Sequence, residues 1–303
     1  MPGMLPGLSS QLPSVVGGYA GPMTAVVTES LAGRYQLRCW LAAGGMGQVW
    51  RGFDEVLRRP VAVKLLPDGA AGDRAAVGRF RTEARRAAAV SHPGIASIFD
   101  YGEAELDGAG EPTAYLVMEL VDGEPLSALL AREGRLPLRR AVDVVAQAAL
   151  AVGAAHRAGL VHRDVKAGNL LVRADGLVKV IDFGIAQRLG EDPDGPRAET
   201  VVGTAGYLSP EQVAGKPATP ASDVYALGVV AYECLAGRRP FDGDDPVAVA
   251  RAHRLRLPPP LPIDVPAPVR ALVAQAMAKD PAARPPDGDA FGRRLLGLRA
   301  VAA

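Results

Sequence analysis

The run His162-Arg163-Asp164-Val165-Lys166-Ala167-Gly168-Asn169 constrains the fold more than any other stretch of the chain. Three polar side chains, Asp164, Lys166 and Asn169, stand at fixed offsets between apolar runs, so they can converge at the mouth of a cleft. A second motif, Asp182-Phe183-Gly184, follows the apolar run 178–181 and puts a carboxylate at a strand end. A carboxylate and an amide oxygen are hard ligands, suited to Mg²⁺ with phosphate completing the octahedron. Their order and spacing demand a fold that gathers loops from separate segments into one crevice.

Two weaker signals lie upstream. Leu41-Ala42-Ala43-Gly44-Gly45-Met46-Gly47-Gln48-Val49 is a glycine-dense turn between strand-like runs, where missing side chains let backbone N–H groups approach phosphate oxygens. A structural hairpin turn accounts for the same glycines. In Val61-Ala62-Val63-Lys64 the alternation of a strand turns Val61 and Val63 away from the face that carries Lys64. A semi-buried lysine needs a carboxylate or a phosphate, and Glu83 is the obvious carboxylate. The plain alternatives are an exposed strand lysine and a surface acid in an Arg-rich helix.

With 303 residues the chain has room for two domains or one larger unit of two lobes. Residues 1–30, with Pro2, Pro6, Pro13 and Pro22 among glycines, read as a flexible leader. Strand-like runs at 35–41, 48–53 and 61–66 predict an antiparallel sheet, followed by one helix with Phe80, Ala84, Ala87 and Ala88 on a single face. Two more strands are expected at 98–103 and 114–119. Beyond Gly123 the period turns helical: Leu138, Val142, Val145, Ala149 and Val152 run towards Gly159 as a stop. Further helices are expected at 222–236, 266–278 and 288–298, and the polar connection 190–199 is long enough to be functional or mobile.

Composition narrows the function classes. Thirty-four Lys and Arg against 33 Asp and Glu leave a net charge of +1, so no nucleic-acid partner is expected. No apolar run reaches the ~18 residues of a membrane span. The two cysteines, Cys39 and Cys234, have no nearby partner for a zinc site, and a reducing, cytoplasmic setting fits them.

With Gly203-Thr204-Ala205-Gly206-Tyr207-Leu208-Ser209-Pro210-Glu211, Ser222-Asp223-Val224-Tyr225 and Arg284-Pro285, these motifs resemble the protein kinase family, specifically the bacterial eukaryotic-like (Hanks-type) Ser/Thr kinases, over about 35–298. The resemblance implies an α+β, two-lobed kinase fold over 31–300: a small antiparallel sheet lobe with one helix to about 120, then a larger, mainly helical lobe. It implies ATP with Mg²⁺, Mn²⁺ being possible in its place. Gly44, Gly45 and Gly47 would cover the nucleotide, and Lys64, held by Glu83, would bind its α- and β-phosphates. Asp164 would orient the acceptor hydroxyl and take its proton, Lys166 would neutralise charge near the γ-phosphate, and Asn169 and Asp182 would hold the metal. Glu119, Leu120 and Val121 would face adenine with backbone groups, Met118 would guard the back, and Leu41, Val49, Ala62 and Leu171 would form walls.

The same resemblance implies protein substrates with Ser or Thr acceptors, read in part by Thr204, and autophosphorylation, with a homodimer as a possible vehicle. Arg163 is a cation that a phosphothreonine in the following segment would satisfy, and Thr200 is the candidate. Glu211 is expected to pair with Arg284, and Asp223 to anchor the His-Arg-Asp backbone. Three positions depart from the family pattern: Ala42 at the first loop glycine, Ala87 where a larger apolar residue packs against Phe183, and Gly206 for a longer polar residue. Two rivals remain open, a nucleotide-binding module without turnover and a small-molecule phosphotransferase.

Overall fold

The computed structural model describes residues 29–44, 47–66, 74–105, 112–183 and 205–301. The N-terminal lobe is a six-stranded antiparallel sheet: β1 (Glu29–Leu31), β2 (Tyr35–Gly44), β3 (Gly47–Asp54), β4 (Arg59–Leu65), β5 (Ile98–Glu105) and β6 (Pro112–Glu119), in the order β1-β2-β3-β4-β6-β5. One helix, α1 (Arg74–Ala88), lies between β4 and β5 in the chain. Glu29 and Ser30, assigned above to the leader, pair with Leu37 and Gln36 and extend the sheet. The remainder of the leader, 1–28, lies outside the described residues.

The two-residue period of β4 divides the sheet into a closed face and a working face. Val61, Val63 and Leu65 enter a small core with Leu37, Tyr115 and Val117. Ala62, one residue out of phase, joins Leu116, Met118 and the α1 residues Phe80, Ala84 and Ala87 in the large core shared with the second lobe. Lys64 has the same parity as Ala62, which turns its stem towards the junction between the lobes.

The second lobe opens with β7 (Glu124–Pro125), α2 (Leu126–Glu133) and α3 (Leu138–Arg157). Two short strands, β8 (Leu170–Val172) and β9 (Val178–Val180), complete a β7-β8-β9 sheet. Five helices follow: α4 (Pro210–Val213), α5 (Pro220–Ala236), α6 (Pro246–Leu255), α7 (Ala267–Ala276) and α8 (Gly288–Gly297). Helix α5 is buried on nearly every side, as expected of a helix with little polar surface, and it starts at a Thr219/Ser222 capping box with Pro220 in the first turn. Helix α3 buries Val142, Val145, Ala149 and Val152 and ends before Gly159, matching the sequence pattern. Helices α2, α4 and α6 were not anticipated; α2 and α4 are short, and Pro246, which opens α6, reads locally as a breaker.

The lobes are joined by backbone as well as by packing. Val180 donates to Gly94 O at 2.8 Å, and its own carbonyl accepts from Ala96 N at 3.0 Å. This link fixes the strand leading into Asp182 against the segment between α1 and β5.

Candidate active site

The His-Arg-Asp segment is held from below by one buried carboxylate. Asp223, in the first turn of α5, accepts from His162 N at 2.7 Å and Arg163 N at 2.8 Å, and its Oδ2 also meets His156 Nε2 at 2.8 Å. These bonds hold Arg163 at a φ of 69°, a left-handed conformation that costs a non-glycine residue energy and persists because the surroundings impose it. His162 Nδ1 accepts from Asp164 N at 3.3 Å and its Nε2 faces Ile181 O at 3.1 Å, so the ring is neutral with its proton on Nε2. Burial lowers the His162 pKa, in keeping with that state.

Asp164, Lys166 and Asn169 converge as the spacing predicts. Lys166 Nζ donates to Asp164 Oδ2 at 2.7 Å, and Asn169 Nδ2 donates to the Asp164 carbonyl at 2.8 Å and to its Oδ2 at 3.0 Å. The short helical turn Ala167–Asn169 sets this geometry, and Asn169 O accepts from Ile181 N at 3.0 Å, docking the second motif beside the first. Asp182 then follows at a φ of 53°, with the Phe183 ring 4.6 Å from His162.

Lys64 reaches this cluster from the other lobe and binds Asp182 Oδ1 at 3.0 Å. Burial would raise the Asp182 pKa, but Lys64, helped by Lys166, outweighs it and keeps the carboxyl ionised. The expected Lys64–Glu83 pair is absent here: Glu83 Oε1 accepts instead from Arg163 Nη1 at 2.9 Å. Two carboxylates compete for two cations across the lobe junction, and α1 is placed so that Glu83 meets Arg163 while Lys64 takes Asp182. The sequence reading paired Lys64 with Glu83, and the structure pairs them otherwise because the position of α1, not local spacing, decides which cation each acid meets.

The described ends of the glycine loop, Gly44 and Gly47, pair where β2 turns into β3. Gly47, at a φ of 108°, allows no side chain, since a Cβ there would run into Leu65 O. Leu41 and Val49 are half-buried, and Ala62, Met118 and Leu171 are buried around the lobe junction, with Ala62 directly opposite Met118 in the β4–β6 register. Of the connecting segment, Glu119 has little left to offer a ligand from its donor or its side chain. Its N–H donates to Ser97 O at 2.8 Å, and its carboxylate accepts from Lys179 at 2.7 Å and Ser97 N at 3.2 Å. No described residue accepts from Val121 N–H. Lys179 was missed because a strand lysine beside an apolar run has no local mark of a partner 60 residues away.

Ala87 leaves the gap its size implies. A cavity of about 20 Å³, room for one water-sized molecule, is lined by Ala87, Phe80, Met118 and Phe183. Gly45, Thr200 and Thr204 lie outside the described residues.

Asp182 and Asn169 fit a divalent metal by donor chemistry. Asp182 is ionised, and Asn169 spends its amide N–H on Asp164, which leaves its oxygen as a hard donor. Among the described residues no cluster of three or more His, Cys, Asp or Glu side chains forms a self-sufficient cation site, so phosphate and water oxygens must complete the shell.

A family model described as a protein kinase domain matches residues 35–291. Among similar proteins, serine/threonine-protein kinase PknA of Mycobacterium tuberculosis is 50% identical over 278 residues, covering 92% of this chain and 64% of that protein. Serine/threonine-protein kinase PknB of Mycobacterium leprae is 42% identical over 258 residues, covering 83% of this chain and 40% of that protein. The chain thus spans less than two thirds of these relatives. A crystal structure of the M. tuberculosis PknI kinase domain superposes with a TM-score of 0.70 at 28% identity, covering 91% of this chain and all of that one.

Proposed function

The chain belongs to the protein kinase family, with the two-lobed fold of that family, and on this premise we propose that it transfers the γ-phosphoryl group of ATP to Ser and Thr hydroxyls of proteins. The observation that carries the proposal is the meeting of Asp164, Lys166, Asn169, Asp182 and Lys64 at one junction between two lobes. A module that only bound nucleotide would have no use for Asp164 with Lys166 2.7 Å away.

Asp164 accepts a hydrogen bond from the acceptor hydroxyl, aims its oxygen at the γ-phosphorus and takes its proton as the bond to the ADP oxygen breaks. Lys166, already beside Asp164, stabilises the charge that develops there. Lys64 exchanges Asp182 for the α- and β-phosphates, which frees Asp182 to join Asn169 in holding the metal, Mg²⁺ or Mn²⁺. When bound, the metal neutralises phosphate charge. Positioning and charge stabilisation supply the catalysis, with no covalent intermediate on the protein. Among the described residues no helix is long and apolar enough to cross a membrane, and a reaction that consumes ATP fits a cytoplasmic setting.

Phosphorylation within or between copies of the chain, at Thr200 among other sites, extends the same reaction. Incubation with ATP and Mg²⁺ should add phosphate mass to the wild type and not to Asp164→Asn. Nucleotide binding without any phosphoprotein, or ADP release that depends on a small-molecule acceptor, would overturn the reading in favour of one of its two rivals.

A further inference from the structure

A cleft of about 480 Å³ starts at Lys166 and runs past Tyr207 and Glu233 to Arg238, Arg239 and Asp242. Because Lys166 touches Asp164, the cleft leads directly from the place where the acceptor hydroxyl must sit. Its chemistry is set by an unusual exchange of space at Gly206. The guanidinium of Arg239 lies across this glycine: a Cβ built there would stand 3.1 Å from Arg239 Cδ, 3.2 Å from Cζ and closer still to Nη1. A longer residue at 206 would displace that cation, so Gly206 and Arg239 act as a pair. The missing side chain in the segment before α4 is replaced by a positive charge from the loop after α5.

We propose that Arg239, seated over Gly206, is a specificity-determining residue that reads an acidic side chain near the acceptor Ser or Thr of a protein substrate. The inference rests on the kinase reading and concerns which proteins that activity selects. The opposite assignment, a basic substrate residue read by Glu233 or Asp242, is disfavoured by how those acids are already engaged. Glu233 accepts from Tyr207 Oη at 2.6 Å, and Asp242 accepts from Arg239 Nη2 at 2.5 Å. Arg238 is exposed and has no carboxylate partner among the described residues. Arg239 keeps nearly a third of its side chain accessible, and Asp242 more than half, so an incoming carboxylate can replace Asp242 without uncovering a buried charge. With Lys166, the cleft holds three cations against two acids that are both engaged.

The test uses the full chain and synthetic peptides with one Thr in a neutral background, each flanking position carrying Glu, Gln or Lys in turn. At one position or more, Glu should raise kcat/KM about fivefold over Gln, the scale of one partly exposed ion pair. That ratio should fall to near one in Arg239→Gln, persist in Arg239→Lys, and shrink in Gly206→Gln, which fills the guanidinium's place. Tyr207 and Glu233 are retained in every variant, so a merely structural loss would lower all peptides alike and leave the ratio intact. A preference for Lys, no Glu/Gln difference in the wild type, or a ratio unmoved by Arg239→Gln refutes the assignment while leaving the kinase reading in place. Absence of phosphate transfer to any peptide and of autophosphorylation would instead overturn the kinase reading, and this inference with it.

Discussion

Arg284→Met should destabilise the helical lobe strongly, and the cost follows from what the side chain holds. Its charged end is fully buried and donates five hydrogen bonds: to Glu211 Oε1 at 2.7 Å and Oε2 at 2.8 Å, and to the carbonyls of Ala278, Ala221 and Lys279 at 2.7, 2.8 and 3.0 Å. Methionine fills much of the volume but supplies none of the donors. Of its described side-chain partners, Glu211 would keep Ser222 Oγ, at 2.7 Å, for a nearly buried carboxylate. Breaking a buried pair on one side costs about 3–5 kcal/mol. For a domain of this size that lowers the melting temperature by about 6–20 °C, at about 2–4 °C per kcal/mol. Removing the orphaned charge as well, in Glu211→Leu with Arg284→Met, should recover part of the loss, because no unpaired ion then remains.

The same pair has a pH signature. Burial pushes the Glu211 carboxyl up, but the hydrogen bonds from Arg284 and Ser222 outweigh it and hold the pKa below the ordinary value. A depressed carboxylate stabilises the fold above its unfolded pKa, and that contribution is lost as pH falls through the folded pKa. The gap between wild type and Arg284→Met should therefore be full at pH 7 and narrow in acid. Thermal and urea melts at several pH values measure it. A loss under about 1 kcal/mol at pH 7, the scale of a surface ion pair, would refute the reasoning. So would a double variant as unstable as the sum of the two singles.

His253 should make the chain sensitive to mild acid: burial, with Lys279 adding repulsion, lowers its pKa to about 4, so only the unfolded chain takes up a proton as pH drops below about 6.5. Stability should fall by about 1.4 kcal/mol per pH unit between these values, and His253→Gln should flatten the slope between pH 6.5 and 5; an unchanged slope refutes the assignment. Arg163→Gln removes one cation that engages Glu83 outside a Lys64 pair, so the unphosphorylated variant should bind ATP with Mg²⁺ about threefold or more tightly by calorimetry. Equal or weaker binding would show that the Arg163 contact does not oppose the Lys64–Glu83 pair.

Much of the site was legible because its chemistry is locally spaced. Asp164, Lys166 and Asn169 lie within six residues, so a single loop and one helical turn bring them together, with Asp223 of α5 fixing the backbone from outside. The face of Lys64 follows from the pleat of β4 alone. The end of α3 follows from its apolar period and the stop at Gly159, which has positive φ, while α5 starts two residues before the expected 222, at Pro220. The starts of the sheet and of α6 were less legible, since Glu29–Leu31 is too short to show alternation and Pro246 caps a helix as readily as it breaks one.

The order of residues along this chain picks out the polar groups that lie at short offsets, because local backbone brings Asp164, Lys166 and Asn169 near one another. Folding in three dimensions settled whom each charge answers. Lys64 finds Asp182 across 118 positions, Arg163 finds Glu83 across 80, and Arg284 finds Glu211 across 73. Arg239 comes to rest on Gly206 in the same way. Such pairings depend on how two lobes and several helices pack, and Coulomb attraction is as strong towards one carboxylate as another until packing fixes the distance.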